Sequence, residues 1–123
     1  RQLRPQLPEN YSARMQEIFA GGARMLVAVL DERVVGVAVW RIIDNTFAGK
    51  VFYVDDLVTV ENTRSSGVGR TLLAHCETIA VRLQCPELEL DSGCQRTRAH
   101  RFYFREGMVI TGFHFSKNLN AKH

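Results

Sequence analysis

The turn at residues 64–70, RSSGVGR, carries the groups best suited to binding an anion. It follows the strand-like segment LVTV and precedes an amphipathic helical pattern, so it predicts a helix N-terminus whose N–H groups lack acceptors. Gly67 and Gly69 allow a ligand to approach the main chain closely. Arg64 and Arg70 could supply countercharge to a phosphate. The turn therefore predicts a main-chain site for a phosphate group.

The glycine spacing differs from that of two common nucleotide-binding loops. No Lys-Ser or Lys-Thr pair follows a GxxxxG pattern, and the GxGxxG spacing of the dinucleotide-binding fold is absent. From the residues alone a second interpretation stays open, namely a turn that needs glycine for its conformation and carries two solvated arginines.

Two adjacent carboxylates, Asp55 and Asp56, interrupt the apolar strand-like segment YVDDLVT. Strand alternation directs neighbouring side chains to opposite faces, and a buried carboxylate is costly unless it is solvated or paired. At least one of the two is therefore expected to line a cleft or contact a cation. An ion pair near the strand end is the alternative. His100 and His114 are competing candidates for a general base, although each could be purely structural.

The elements that must position these groups follow from hydrophobic periodicity and from glycine and proline positions. A crossover helix should make the strands on either side of it parallel neighbours. We predict a mixed α/β fold with one central sheet, in a single domain over residues 1–123. The predicted elements are a helix at 8–20, strands at 24–30 and 33–42 joined by a hairpin turn at 31–32, a strand at 51–60, a helix from the glycine turn to residue 84, a strand at 88–91, a helix at 96–106 ended by Gly107, and one or two strands within 108–119.

Composition narrows the class of protein further. The net charge of +3 favours phosphate-bearing partners without selecting nucleic acid. No apolar segment approaches the roughly 18 residues of a membrane span, and the first residues lack the apolar core of a secretion signal. The three cysteines, Cys76, Cys85 and Cys94, form no CxxC pair, so we expect reduced thiols in a cytoplasmic protein and no metal site.

Two motifs in this chain resemble those of one family. R-x-x-G-x-G at 64–69 resembles the acetyl-CoA-binding motif of the GNAT superfamily of N-acetyltransferases. AHRFYFREGM resembles the A-x-x-x-Y-x-x-x-G-F helix of that family, with Ala99, Tyr103 and Gly107 matching and Met108 in place of phenylalanine. The resemblance covers about residues 51–108. It implies a GNAT-like acyl-CoA N-acyltransferase fold, whose N-terminal strand we expect to be missing or trimmed.

The resemblance also implies a reaction and its participants. It implies acetyl transfer from the cosubstrate acetyl-CoA to a primary amine by direct attack in a ternary complex, with no metal. Tyr103 would protonate the departing thiolate. VDDLVT is similar to the Glu-Asp pair of diamine and polyamine N-acetyltransferases, which makes Asp55 the first candidate to bind or deprotonate a small cationic amine and Asp56 the second. The residues expected to contact acetyl-CoA are Leu57, Val58, Thr59, Arg64, Ser65, Ser66, Gly67, Val68, Gly69, Arg70, Ser92, Arg96 and Ala99.

Several alternatives accompany this interpretation. A catalytically silent acyl-CoA sensor would share the same glycine turn. A small nucleic-acid-binding domain would use Arg96, Arg98, Arg101 and Arg105 interleaved with aromatic residues, although nearby carboxylates dilute that patch. Tyr103 could be a half-buried structural residue, and Ser92 could cap the next helix. A homodimer would fit the resemblance, and the acceptor amine stays open.

Overall fold

The structure, a computed structural model, describes residues 13–20, 23–45, 49–60, 67–93 and 95–120. By its internal contacts the chain divides into two units, Arg1–Leu90 and Asp91–His123. The single domain expected from the sequence stays a prediction. Within the described residues, no helix is long and apolar enough to cross a membrane.

The first unit contains a five-stranded mixed sheet. Its strands are β1 (Ala13–Ala20), β2 (Ala23–Leu30), β3 (Arg33–Asn45), β4 (Gly49–Thr59) and β5 (Glu87–Leu90), in spatial order β1-β2-β3-β4-β5. The first four strands pair antiparallel, whereas β4 and β5 pair parallel. Helix α1 (Val68–Arg82) makes the crossover between the two parallel strands. The mixed sheet and the parallel pair confirm the fold class predicted from the sequence.

The core of this unit lies between one sheet face and α1. Ala38, Trp40 and Phe52 belong to the sheet side of this core, and the rings of Trp40 and Phe52 stack with centroids 4.4 Å apart. The apolar stripe of α1 is buried as its periodicity predicted. Its buried members are Val68, Leu72, Leu73, Cys76, Ile79 and Ala80.

Local turn signals were accurate predictors. Asp31 and Glu32 have φ angles of 53° and 61° and join β2 to β3, as expected for a tight hairpin that follows the strand twist. The second unit contains α2 (Thr97–Arg105), and Gly107 with φ 88° follows it in the left-handed conformation typical of a residue just beyond a helix.

Two predictions from local pattern are wrong. Residues 13–20 form β1 instead of the second half of a helix, because each of them pairs with a residue of β2; residues 8–12 lie outside the described residues. The described residues 108–120 contain no strand. Their apolar residues, among them Phe113 and Phe115, are exposed. A strand-like pattern indicates a preference for extended backbone. A strand also needs a partner strand for its hydrogen bonds, and the local pattern does not supply one.

Gly36 on β3 sets how closely α1 packs on the sheet. A Cβ atom there would lie 2.7 Å from Leu72 Cδ1 and 2.8 Å from Val68 Cγ1, both fully buried side chains. We therefore expect Gly36→Ala to lower the free energy of unfolding by about 1–3 kcal/mol, the usual cost of overpacking. Urea unfolding measures this value. Gly112→Ala is the control, because a Cβ at Gly112 meets no atom within 4 Å. Equal stability of the two variants would contradict the close packing.

Candidate active site

The N-terminus of α1 has the features of an anion site. Gly67 has φ 90° and ψ 12°, and its carbonyl accepts hydrogen bonds from the Thr71 N–H (3.0 Å) and the Thr71 hydroxyl (2.8 Å). The first turn contains no acidic residue and no side-chain cap within the described part of the chain. The N–H groups of Val68 and Gly69 therefore lack intrahelical acceptors and carry the positive end of the helix dipole. Arg70 is exposed, whereas Arg64, Ser65 and Ser66 lie outside the described residues.

Strand β4 has an open edge near its end. It pairs with β5 at Val51–Val54 only and then continues to Thr59 without a β5 partner in the described residues. The Val60 N–H donates to the Val35 carbonyl (2.9 Å) on β3. Because main-chain groups alternate sides along a strand, those of Leu57 and Thr59 point to the open edge, whereas those of Val58 point to β3. The main-chain groups of Leu57 and Thr59 therefore have no strand partner among the described residues.

The helix N-terminus and the open edge are adjacent. Thr59 is the register partner of Gly36, and Gly36 lies directly beneath Val68 and Leu72 at the start of α1. The structure thus brings residues 67–70 together with the end of β4, within one unit. The connecting residues 61–66 lie outside the described residues. The adjacency therefore follows from the packing of Val68 and Leu72 against Gly36.

The two carboxylates of β4 lie at a β-bulge. Val39 pairs with Asp56 and Trp40 with Val54, so Asp55 is the extra residue on β4. Up to the bulge Val54 belongs to the core, and after it Leu57 packs against the same core, so the alternation shifts by one residue. Both carboxylates are therefore exposed. The expectation of strict alternation at this pair was wrong because a bulge resets which face each side chain takes.

The two carboxylates have different electrostatic surroundings. Arg41 Nε donates to Asp55 Oδ1 at 3.1 Å, and the Arg41 guanidinium lies 5.2 Å from the Tyr53 ring centroid. This contact confirms that one of the two carboxylates meets a cation. Asp56 has no hydrogen-bond or ion-pair partner among the described residues. Sequence reasoning missed Arg41, because its position beside Asp55 depends on strand register.

In the second unit, Tyr103 is a half-buried phenol on α2. Burial raises the pKa of Tyr103 above its ordinary value of 10.0, and Arg96 opposes that rise with a smaller lowering effect. The phenol is therefore protonated at neutral pH and can donate a proton. Phe102 packs edge-on against its ring at 5.4 Å. Ala99, one turn earlier on α2, is also half-buried.

The competing histidines and Ser92 also belong to the second unit. His100 Nε2 lies 2.8 Å from the Gly93 carbonyl oxygen, a hydrogen bond to main chain that suits a structural role. His114 Nδ1 lies 3.7 Å from an oxygen of Asp91, and both side chains are exposed. Arg96, not Ser92, is the N-cap of α2, so the capping alternative for Ser92 is wrong. The Ser92 hydroxyl is buried without a hydrogen-bond partner in the described part of the chain.

The cysteine thiols of the first unit are unsuited to chemistry. Cys76 and Cys85 are free and buried. Burial, with a smaller contribution from Glu77, raises the pKa of the Cys76 thiol to about 12, so it stays a neutral apolar group. Among the described residues, no group of three or more His, Cys, Asp or Glu side chains could hold a metal ion.

Within the part of the chain that the structure describes, the first unit combines a parallel β4–β5 crossover, a helix N-terminus without a side-chain cap and a β4 end without a β5 partner. The chain matches the model of the acetyltransferase (GNAT) family over residues 2–108. It therefore belongs to the GNAT family of acetyltransferases, which confirms the resemblance seen in the sequence and the enzyme class that it implied.

Known proteins give the same assignment. The N-acetyltransferase YhdJ of Bacillus subtilis is 31% identical over 121 residues, which cover 94% of this chain and 84% of that protein. The aminoalkylphosphonate N-acetyltransferase of Salmonella typhimurium is 36% identical over 66 residues, 54% of this chain and 43% of that enzyme. The solved aminoglycoside N-acetyltransferase AAC(6')-Iy in complex with CoA has a TM-score of 0.79 at 13% identity, covering 94% and 99% of the two chains. The last likeness concerns the fold.

Proposed function

We propose that this chain transfers the acetyl group of acetyl-CoA to the primary amine of a small cationic molecule, by direct attack in a ternary complex. The observation that carries the proposal is the adjacency of the uncapped α1 N-terminus to the open edge of β4. A diphosphate needs main-chain donors and positive charge, and an extended pantetheine chain needs unpaired strand groups. The residues present fit both requirements.

Residues 64–70 would hold the diphosphate of the cosubstrate through the amides of Gly67, Val68 and Gly69. Leu57 and Thr59 would hydrogen-bond the pantetheine arm, and one of their N–H groups would polarise the thioester carbonyl. Acetyl-CoA supplies an activated acyl group on a thiolate leaving group. Fixed main-chain donors aimed at the developing oxyanion avoid reorganisation during the reaction, which makes them effective catalysts.

Tyr103 is the proposed proton donor for the departing thiolate. Its raised pKa keeps the phenol protonated across the physiological range. Ala99, as a small residue one turn earlier, would leave space for the cosubstrate, and Arg96 and Ser92 are the other proposed contacts.

Asp56 and Asp55 are proposed to serve the acceptor amine in different ways. Asp56, which has no partner among the described residues, would bind the ammonium and accept its proton directly or through water. Asp55 would position the site through its ion pair with Arg41. The relative named as an aminoalkylphosphonate N-acetyltransferase supports an amine acceptor. A cytoplasmic location and a homodimer are further parts of the proposal.

The test is release of free coenzyme A thiol from acetyl-CoA in the presence of primary amines, together with calorimetry of acetyl-CoA binding. Amine-dependent thiol release would support the proposal. Binding of acetyl-CoA without turnover for any amine would favour the non-catalytic sensor. Absence of acetyl-CoA binding would contradict both. Steeply salt-dependent binding of DNA or RNA would favour the nucleic-acid alternative.

A further inference from the structure

An apolar groove lies where β3 begins and β4 ends. It has a volume of about 150 Å³ and is lined by Val34, Val35, Gly36, Val37, Val58, Thr59 and Val60. Val34, Val58 and Val60 are 54%, 58% and 44% exposed, which is unusual for adjacent large aliphatic side chains. A cavity of roughly this volume accommodates a benzene ring.

Asp56 lies on the same sheet face as Val58, one of the residues that line this groove. Leu57 packs against the core, so alternation sends the side chains of Asp56 and Val58 to the opposite face. Two residues along a strand separate Cα atoms by about 7 Å. A carboxylate without a partner in the described residues and an apolar surface therefore lie side by side, next to the open edge of β4.

The negative charge beside the groove is lower than the two adjacent carboxylates Asp55 and Asp56 would suggest. Asp55 lies on the far side of Asp56 from the groove, and its ion pair with Arg41 neutralises its charge. On β5, Glu89 pairs in register with Tyr53. Tyr53 precedes Asp56 by three residues on β4, so Glu89 lies about 10 Å from Asp56 along the strand direction. One carboxylate, that of Asp56, thus adjoins the groove without a compensating cation among the described residues.

We infer that the preferred acceptor is a monocationic primary amine with an apolar alkyl or aryl body, not a polyamine. This inference rests on the proposed function. Asp56 binds the ammonium, and the body lies along Val37, Val58 and Val60. After Asp56 or water takes a proton from the ammonium, the amine nitrogen forms a bond with the acetyl carbon. The nitrogen then gives a second proton to water as the carbon–sulfur bond breaks, and the thiolate leaves with a proton from the proposed acid, which regains its proton from solvent.

The discriminating experiment compares n-hexylamine with 1,6-diaminohexane, which differ by one terminal ammonium at nearly equal length. We expect kcat/KM for n-hexylamine to be at least about tenfold higher, because the second ammonium must be desolvated against valines. 2-Phenylethylamine should behave like n-hexylamine. A preference for the diamine would overturn the inference. If none of these amines and no other amine were acetylated, the result would instead overturn the proposed function on which the inference rests.

Variants make the test specific. Val58→Asp places a carboxylate in the groove beside the bound body, so the ratio of kcat/KM between n-hexylamine and 1,6-diaminohexane should fall by about tenfold toward the diamine. Glu89→Gln, which removes an exposed carboxylate of β5, is the matched control and should leave the ratio unchanged. An unchanged ratio in Val58→Asp, with a native circular dichroism spectrum, would contradict the inference.

Discussion

Gly67→Val is expected to weaken acetyl-CoA binding by at least about a hundredfold, measured by calorimetry. Gly67 has φ 90°, a region that β-branched residues avoid, so valine must either strain the turn or reorganise the start of α1. Its side chain would also stand among the main-chain donors proposed to hold the diphosphate. Gly69→Val should have the same effect on binding through crowding at the first turn of the helix.

Gly49→Val is the control for backbone strain. Gly49 also has a positive φ, 75°, and a Cβ there meets no atom within 4 Å, so valine adds comparable strain without steric contact. It begins β4, whereas the proposed diphosphate site adjoins the end of that strand. Gly49→Val should retain native acetyl-CoA affinity, whereas Gly67→Val should lose it. This result would show that the loss of affinity comes from the glycine turn and not from backbone strain alone. Retained affinity in Gly67→Val would contradict the assignment of the glycine turn.

Tyr103→Phe is expected to lower kcat by about a hundredfold or more while changing the acetyl-CoA dissociation constant little. The substitution removes only the hydroxyl group, so packing against Phe102 is retained. Stopped assays of thiol release give kcat, and calorimetry gives the dissociation constant. Phe104→Leu, at an exposed position of the same helix, is the control and should retain turnover.

The pH dependence gives a second readout for Tyr103. A proton donor is active below its pKa, and burial moves the pKa of this phenol upward. The midpoint of the alkaline decline in the wild-type kcat should therefore lie above the ordinary tyrosine pKa of 10.0. Tyr103→Phe should lack that alkaline decline. Unchanged turnover in Tyr103→Phe would leave water as the proton donor and remove Tyr103 from the mechanism.

The sequence and the structure lead to different interpretations of the carboxylate pair Asp55 and Asp56. In the sequence, Asp55 and Asp56 are adjacent carboxylates that favour a small cationic acceptor, with Asp55 as the first candidate and Asp56 as the second. In the structure, the bulge exposes both, and Arg41 pairs with one of them. The remaining uncompensated charge lies beside exposed valines, which underlies the inference of a monocationic, partly apolar acceptor.

Structural features that depend on a few neighbouring residues could be predicted from the sequence. The apolar stripe of α1, the hairpin at Asp31 and Glu32, the crossover between β4 and β5 and the family motifs were all predicted correctly. Each rests on periodicity or on backbone conformations that particular residues favour, and both are properties of a short segment.

Tertiary structure decided whatever depends on a partner distant in the sequence. Residues 13–20 became a strand because β2 supplied hydrogen bonds along their whole length, and residues 108–120 did not because no described strand pairs with them. The partner of Asp55, the open edge of β4 and the adjacency of α1 to Gly36 likewise follow from strand register and packing. Such contacts gain free energy only when distant segments meet, so local periodicity carries little information about them.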